Sequence, residues 1–509
     1  MKSSFTSCFT PDRSSPLLSH RLKESRGYRR FRRGHVTCFL LLLAALLCRS
    51  AAPVAAAEIS HPKLQPAIDQ IRKAAGSAAF QLIALPSGQV VCQERSSEAF
   101  VPASLVKLLT SYAALKKLSP AFRFTTQVFA TSDPVDGIVQ GDIWIRGSGD
   151  PFFVDEKVQL LVQALKDRGI RQIRGGIIAD NSFFLPAAER ICLDTDCIGL
   201  YNPVISAAAV DFNQLTVKVS APAKPGKAAA VDSAPAGSYV RLTGQATFGK
   251  KGGNALRVRS LGAAGNGQEQ FQVTGQISAR GARSREYRFQ AADPAGLFAH
   301  AIRTALERSG IKVEGSTVRE GTTPQEAKVI AAYESPPLSE LVSVLNKYSN
   351  NFMAEMVLRS LGGYIAGPPG TSAKGIAVVE AALREAGIPG ETGVLDCGSG
   401  LSRLCRVSPQ TFCRLLFAAW NDPSIQNDFI SSLAANAEEG TLRRRMHKPG
   451  LIVRGKTGTL NDVIGFAGYV SGPSGRTYAA AIMLNDVRDR FKARQAIDTF
   501  LEEVGFTDP

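Results

Sequence analysis

Histidine is scarce in this 509-residue chain: there are five, and His20 and His35 lie before residue 58. With His61, His300 and His447 widely separated, a Ser-His-Asp relay has little to draw on. The sequence has no H-E-x-x-H helix motif, no G-x-S-x-G elbow, and no P-loop or dinucleotide fingerprint. Cysteine never occurs as a C-x-x-C pair, which together with so few histidines argues against structural zinc. The composition therefore calls for no metal and no cofactor. Long apolar runs are lacking too. Thr37–Cys48 has 12 residues, too few to span a bilayer as an ordinary helix.

That short run has a context. Arg26, Arg29, Arg30, Arg32 and Arg33 precede it, and Ala55-Ala56-Ala57 follows it. A basic segment, a short apolar segment and small residues together predict a signal peptide over 1–57 and export to the periplasm or cell envelope. A retained leader, with peripheral membrane contact, is the alternative. The leader also inflates the charge. It holds ten Lys/Arg and two Asp/Glu, so the formal +16 of the whole chain falls to +8 after residue 57. That balance does not call for nucleic acid and suits an anionic, extended partner. Six cysteines remain beyond the leader: Cys92, Cys192, Cys197, Cys397, Cys405 and Cys413. Export and an even count predict disulfides, with Cys192 and Cys197 able to close a short loop and a pair expected among the last three.

The periodicity predicts an amphipathic helix over 62–75 and a hairpin from Ala78–Leu85 and Gln89–Gln93. An apolar helix follows, Leu105–Leu118. From about 129 to 292, short β-like runs alternate with glycine turns, which predicts a β-rich module. Helical spacing returns at Gly296–Ser309 and over 338–362, where polar residues at 349–351 break it. Ser408-Pro409 reads as a helix start. The C-terminal part reads as strands at Ile452–Lys456, Ile464–Val470 and Thr477–Asn485, then a helix at Ala493–Val504. One α+β domain, 58–128 and 293–509, is thus expected to flank an insertion at 129–292.

Three short motifs carry chemistry. Ser104-Leu-Val-Lys107 puts an amine on the same helix face as a hydroxyl, one turn away. A serine hydroxyl needs a base, and a lysine serves only when burial or a neighbouring cation lowers its pKa. Taken alone, the pair also reads as a helix-capping serine and a surface lysine. Ser349-Asn350-Asn351 interrupts a helix with a hydroxyl that can relay a proton and an amide that can hold a carbonyl. Lys456-Thr457-Gly458-Thr459 ends a strand, where a glycine admits close backbone approach and threonine hydroxyls can donate to a carboxylate. In this order, S-x-x-K, S-x-N and K-T-G form the signature of serine β-lactamases and penicillin-binding proteins.

With these motifs the sequence resembles the D-alanyl-D-alanine carboxypeptidase/endopeptidases, the class C low-molecular-mass penicillin-binding proteins. Phe122–Thr126, Gly141–Pro151, Gly367–Thr371, Gly398–Arg403 and Lys456–Leu460 follow the same pattern. The 245 positions between Ser104 and Ser349 leave room for the family's inserted module. The resemblance implies a β-lactamase/transpeptidase-like fold, an antiparallel sheet flanked by helices, with that insertion between the first and second motifs. It implies an acyl-enzyme on Ser104, with Lys107 as base, Ser349 passing a proton to the leaving D-alanine and Lys456 keeping Lys107 poised. Asn351 would bind a substrate carbonyl, and Thr457, Gly458 and Thr459 would line the place of the terminal carboxylate. Backbone N–H groups of Ser104 and Thr459 would form the oxyanion hole. Asp196, Tyr201 and Arg403 fall where the family contacts substrate. The implied partners are peptidoglycan stem peptides ending in D-Ala-D-Ala, their cross-links, and β-lactam antibiotics as covalent inhibitors. Departures are Asn350 and Cys397, where aspartate is usual, and Ile191–Asp196 in place of a tryptophan-rich stretch. A serine β-lactamase and a catalytically silent wall-binding homologue are the alternatives.

Overall fold

The computed structural model describes residues 59–509 apart from 192–198, 222–226, 236, 250–254, 265–267, 279–282 and 390–392. Its organising element is a six-stranded antiparallel sheet. Across the sheet run Val90–Glu94, Ser77–Leu85, Thr477–Asn485, Ile464–Ser471, Ile452–Thr459 and Ala434–Ala435. Strand alternation sorts the side chains onto two faces. Phe80, Leu82, Ala480 and Ile482 pack on one face with the helices Gln65–Lys73 and Arg490–Thr507. Ala79, Ile83, Ala479, Ala481 and Met483 face the opposite way, into the largest core. There they meet the helices Val106–Leu118, Leu338–Tyr348, Asn351–Ile365, Ser372–Glu385 and Pro409–Trp420. Helices on both faces of an antiparallel sheet match the α+β expectation.

Local signals explain where elements begin. Ser408 caps Pro409–Trp420 by accepting the Thr411 N–H at 3.2 Å. Asp293 caps Pro294–Arg308 through Gly296 N–H at 2.9 Å. Each side-chain cap satisfies a backbone donor that the helix itself cannot.

A second sheet has its own core. Its order is Val318–Glu320, Ile177–Asp180, Ile143–Arg146, Thr125–Ala130 and Lys328–Glu334, so it draws strands from both sides of 129–292. Two further three-stranded sheets lie within 214–290. The stretch is not all β. Asp155–Asp167 is a helix whose Val158, Leu161, Val162 and Leu165 are buried. Their i, i+3, i+4, i+7 spacing was present in the sequence but was submerged among short β-like runs.

The expected disulfides are not seen among the described cysteines. Cys92, Cys397, Cys405 and Cys413 are buried free thiols. Cys92 packs in one core and Cys413 in another, where each acts as a small hydrophobe. The Cys397 and Cys405 sulfurs lie 3.7 Å apart. Cys192 and Cys197, like the leader 1–57 and Asp196, lie outside the described residues.

Candidate active site

The nucleophile candidate sits on a single turn of 3-10 helix, Ala103–Leu105, that feeds directly into the helix Val106–Leu118. Ala103 adopts φ +49°, a left-handed conformation that costs an alanine about 1 kcal/mol or more. Lys107 lies one turn on from Ser104 and is wholly buried, whereas Ser104 itself is half-buried. The Lys107 Nζ has three neighbours: Ser104 Oγ at 2.9 Å, Asn351 Oδ1 at 2.7 Å and the Ser399 carbonyl at 2.6 Å. Burial lowers this lysine from its ordinary 10.5 to about 7, although Cys397 and Glu355 pull it upward. The surface-lysine alternative therefore fails on burial.

The second motif is built by a helix break. Ser349 ends Leu338–Tyr348 in a left-handed conformation, φ +56°. Asn350 then caps Asn351–Ile365, its side chain accepting the Met353 N–H at 3.0 Å. An aspartate would make the same cap, so the departure at 350 leaves the local structure intact. Asn351 is consequently the first residue of the new helix. Its Oδ1 takes a hydrogen bond from Lys107, and its Nδ2 donates to the Tyr201 carbonyl at 2.9 Å.

Lys456 comes from the strand Ile452–Thr459 and is also wholly buried. Its Nζ donates to Ser349 Oγ and to the Thr457 carbonyl, each at 2.8 Å. Burial, reinforced by the charge of Lys107, holds it well below the usual lysine range. Gly458 explains how the strand reaches the nucleophile candidate. A Cβ there would lie 2.8 Å from the Pro102 carbonyl and 3.3 Å from Ala103 Cβ. Thr457 and Thr459, two residues apart on one strand face, stay half-buried and exposed respectively.

The remaining site candidates divide. Tyr201 approaches the cluster through its backbone carbonyl, with its side chain 44% exposed. Arg403 pairs with Asp462 at 2.8 Å, just past the end of the Lys456 strand. The two line a cavity of about 360 Å³ with Arg95, Glu98 and Arg406, a cavity whose lining contains none of the three motifs. A larger cavity of about 730 Å³, beside Gly88, Cys413 and Phe417, contains none of them either. Hydrogen bonds between buried groups, not cavity size, locate the chemistry here. Among the described residues no cluster of three metal-ligating side chains occurs.

Two features were not assigned from sequence. The loop Cys397–Gly400 places the Ser399 carbonyl on Lys107, and Cys397 Sγ accepts the Gly400 N–H at 3.2 Å and the Ser402 N–H at 3.5 Å. A thiol thus takes the turn-closing role that an aspartate oxygen can fill. Glu355 is buried in a helix that is otherwise apolar at this point. It stands four residues after Asn351, on the same face, and that spacing was the available signal.

Two buried lysines, each hydrogen-bonded to a serine hydroxyl beside a sheet flanked by helices, are the arrangement expected where the three motifs of the penicillin-binding class meet. Residues 59–504 match the D-Ala-D-Ala carboxypeptidase 3 (S13) family, and the chain belongs to it. It is a serine-type D-Ala-D-Ala carboxypeptidase. The D-alanyl-D-alanine carboxypeptidase of Actinomadura sp. (strain R39) is 34% identical over 408 residues, covering 76% of this chain and 74% of that one. The D-alanyl-D-alanine carboxypeptidase DacB of Haemophilus influenzae is 25% identical, covering 78% and 83%. The fold is shared with the crystal structure of penicillin-binding protein 4 from H. influenzae, with a TM-score of 0.70 at 21% identity over 87% of this chain and 99% of that one. That protein has also been crystallised in complex with a β-lactam.

Proposed function

We propose that this carboxypeptidase works through an acyl-enzyme on Ser104, on peptidoglycan stem peptides and on their cross-links, and that β-lactams trap it. One observation carries the reading: two buried lysines, each hydrogen-bonded to a serine hydroxyl, Lys107 to Ser104 and Lys456 to Ser349. In water such lysines would be protonated and useless as bases. Burial lowers Lys107 to about 7, so that a sizeable fraction of it is neutral near pH 7.

In this reading neutral Lys107 takes the Ser104 proton as Oγ attacks the carbonyl of the penultimate D-alanine. The backbone N–H groups of Ser104 and Thr459 receive the developing oxyanion. Ser349, held by Lys456, passes the proton to the departing amine, which leaves as D-alanine from a free terminus or as a neighbouring stem from a cross-link. Water then hydrolyses the ester with Lys107 again as base. Thr457 and Thr459 grip the terminal carboxylate, with Gly458 between them. The Asn351 amide, placed at the junction with Tyr201, takes the substrate carbonyl. Asp196 and Tyr201 from the insertion would meet the side chain of the stem peptide, and Arg403 would be a further contact. Export to the periplasm or cell envelope, with removal of 1–57, fits that substrate.

The direct test is mass spectrometry of the protein after penicillin treatment, alongside D-alanine release from a peptide ending in D-Ala-D-Ala. A single adduct on Ser104 is expected, and Ser104→Ala is expected to lose both adduct and release while staying folded. Release at the wild-type rate by Ser104→Ala would remove the assignment. Digestion of purified sacculi would show separately whether cross-links are cut.

The pH dependence has a definite sign. Lys107 acts only when unprotonated, so kcat/KM is expected to be low in acid and to rise through pH about 7. An ordinary lysine would place that rise near 10.5. A profile flat from pH 6 to 8 would argue against Lys107 as the base.

A further inference from the structure

Lys107 can be a base only if its lone pair faces Ser104. A neutral amine has two N–H groups and one lone pair. Two of its three neighbours, the Asn351 amide oxygen at 2.7 Å and the Ser399 carbonyl at 2.6 Å, can only accept hydrogen bonds. They therefore take both N–H groups, and the lone pair is left for the Ser104 hydroxyl at 2.9 Å. Asn351 is fixed by its helix and by its bond to Tyr201. The Ser399 carbonyl belongs to a loop with no regular secondary structure, and something else must hold it.

Glu355 holds it. Its Oε1 accepts the Ser399 N–H at 2.8 Å and its Oε2 accepts the Gly398 N–H at 3.2 Å. Both oxygens accept N–H bonds, an arrangement that favours the ionised carboxylate. The side chain is 1% exposed, so no water competes for these bonds. From the helix Val106–Leu118, Thr110 Oγ1 adds a bond to the Gly398 carbonyl at 2.9 Å. We propose that Glu355 is a positioning residue for the acylation step: its buried carboxylate fixes Gly398 and Ser399 so that the Ser399 carbonyl turns the Lys107 lone pair onto Ser104. The inference rests on the reading of Lys107 as base.

The carboxylate also acts through charge. Burial pushes Glu355 above the usual carboxylate range, and its bonds to Ser399 and Gly398 and the nearby Lys107 oppose that push. Reciprocally, Glu355 raises Lys107. The other titratable groups facing this cluster are Lys456 from its strand and Cys397 from the loop, with Cys405 behind it.

The test compares Glu355→Gln and Glu355→Asp with wild type, measuring D-alanine release from an N-acylated tripeptide ending in D-Ala-D-Ala across the neutral range. Glutamine keeps the volume but loses the charge, and its NH2 faces one of the two backbone donors. Its kcat is expected to fall about tenfold with KM little changed, and the acid limb of its pH profile to move to lower pH. Aspartate keeps the charge but falls one methylene short. Its kcat is expected to fall while the acid limb stays with wild type. A purely structural role would lower activity without moving the acid limb in either variant. An unmoved limb in Glu355→Gln, or undiminished kcat in Glu355→Asp, overturns the proposal. Wild-type protein that releases no D-alanine would sink the reading of the site itself, and this inference with it.

Discussion

Lys107→Met is expected to reduce D-alanine release about ten-thousandfold and to leave a folded protein. The chemical half follows from the hydrogen bonds. Ser104 would keep its place but lose the base proposed for it, and methionine offers nothing to take a proton. The structural half is a balance of two effects. A wholly buried lysine lowered from 10.5 to about 7 weakens folding at neutral pH by about 4 to 5 kcal/mol. The sign is that of a depressed base: the penalty is full below pH about 7 and fades as the pH rises toward 10.5. Methionine has a similar length and removes that penalty. Against this, Asn351 Oδ1 and the Ser399 carbonyl each lose a donor, at about 1 to 3 kcal/mol apiece. The two effects nearly cancel. A thermal midpoint within a few degrees of wild type is expected by circular dichroism. Activity above about one hundredth of wild type would remove Lys107 from the mechanism, since a general base contributes at least that much.

The site is marked in the sequence only where local rules build it. Ser104 and Lys107 were legible together because helical spacing is a local rule. Ser349 and Lys456 were legible as motifs, but their 2.8 Å contact spans 107 positions and arises from the sheet and the helix break. Asn350 was legible as a departure and not as a cap, because capping depends on where the helix begins. The Ser399 and Tyr201 contacts could not have been read at all. Both use backbone carbonyls, which every residue has, so the sequence carries no mark of them. Glu355 lies between these cases. A single acidic residue in Phe352–Leu358 is conspicuous, yet its target is again backbone.

The cysteines teach a related lesson about parity. An even count and the expectation of export pointed to cross-links, yet Cys92 and Cys413 lie in separate cores. Cys397 serves instead as an acceptor that closes a turn. Burial and neighbours decided the role of each thiol, and neither is visible in a count. The helix Asp155–Asp167 failed for the opposite reason: its signal was present but weak against a β-like background.

Gly400→Ala tests whether that turn matters to catalysis. Gly400 adopts φ +77°, and a Cβ on it would sit 1.8 Å from the Ala103 carbonyl oxygen and 3.1 Å from the Ser104 nitrogen. Something must move. The glycine's own loop is pinned by Glu355, Cys397 and Lys107, whereas the opposing peptide, Ala103–Ser104, already sits in a left-handed turn. That peptide carries the N–H assigned to the oxyanion and sets the height of Ser104 Oγ. A displacement of about 1 Å at a reacting centre costs about 100-fold, and loss of one oxyanion donor costs 100- to about 1,000-fold. Gly400→Ala is therefore expected to lose at least about 100-fold in kcat. Gly310→Ala supplies the control. It shares the strained backbone, φ +88°, but its Cβ would meet nothing within 4 Å. It is expected to lose about 1 to 2 kcal/mol of stability by thermal melting with wild-type kinetics. If the two variants behaved alike, backbone strain alone would account for the loss at 400. If only Gly400→Ala loses turnover, the loop's contact with Ala103 is what keeps the nucleophile in register.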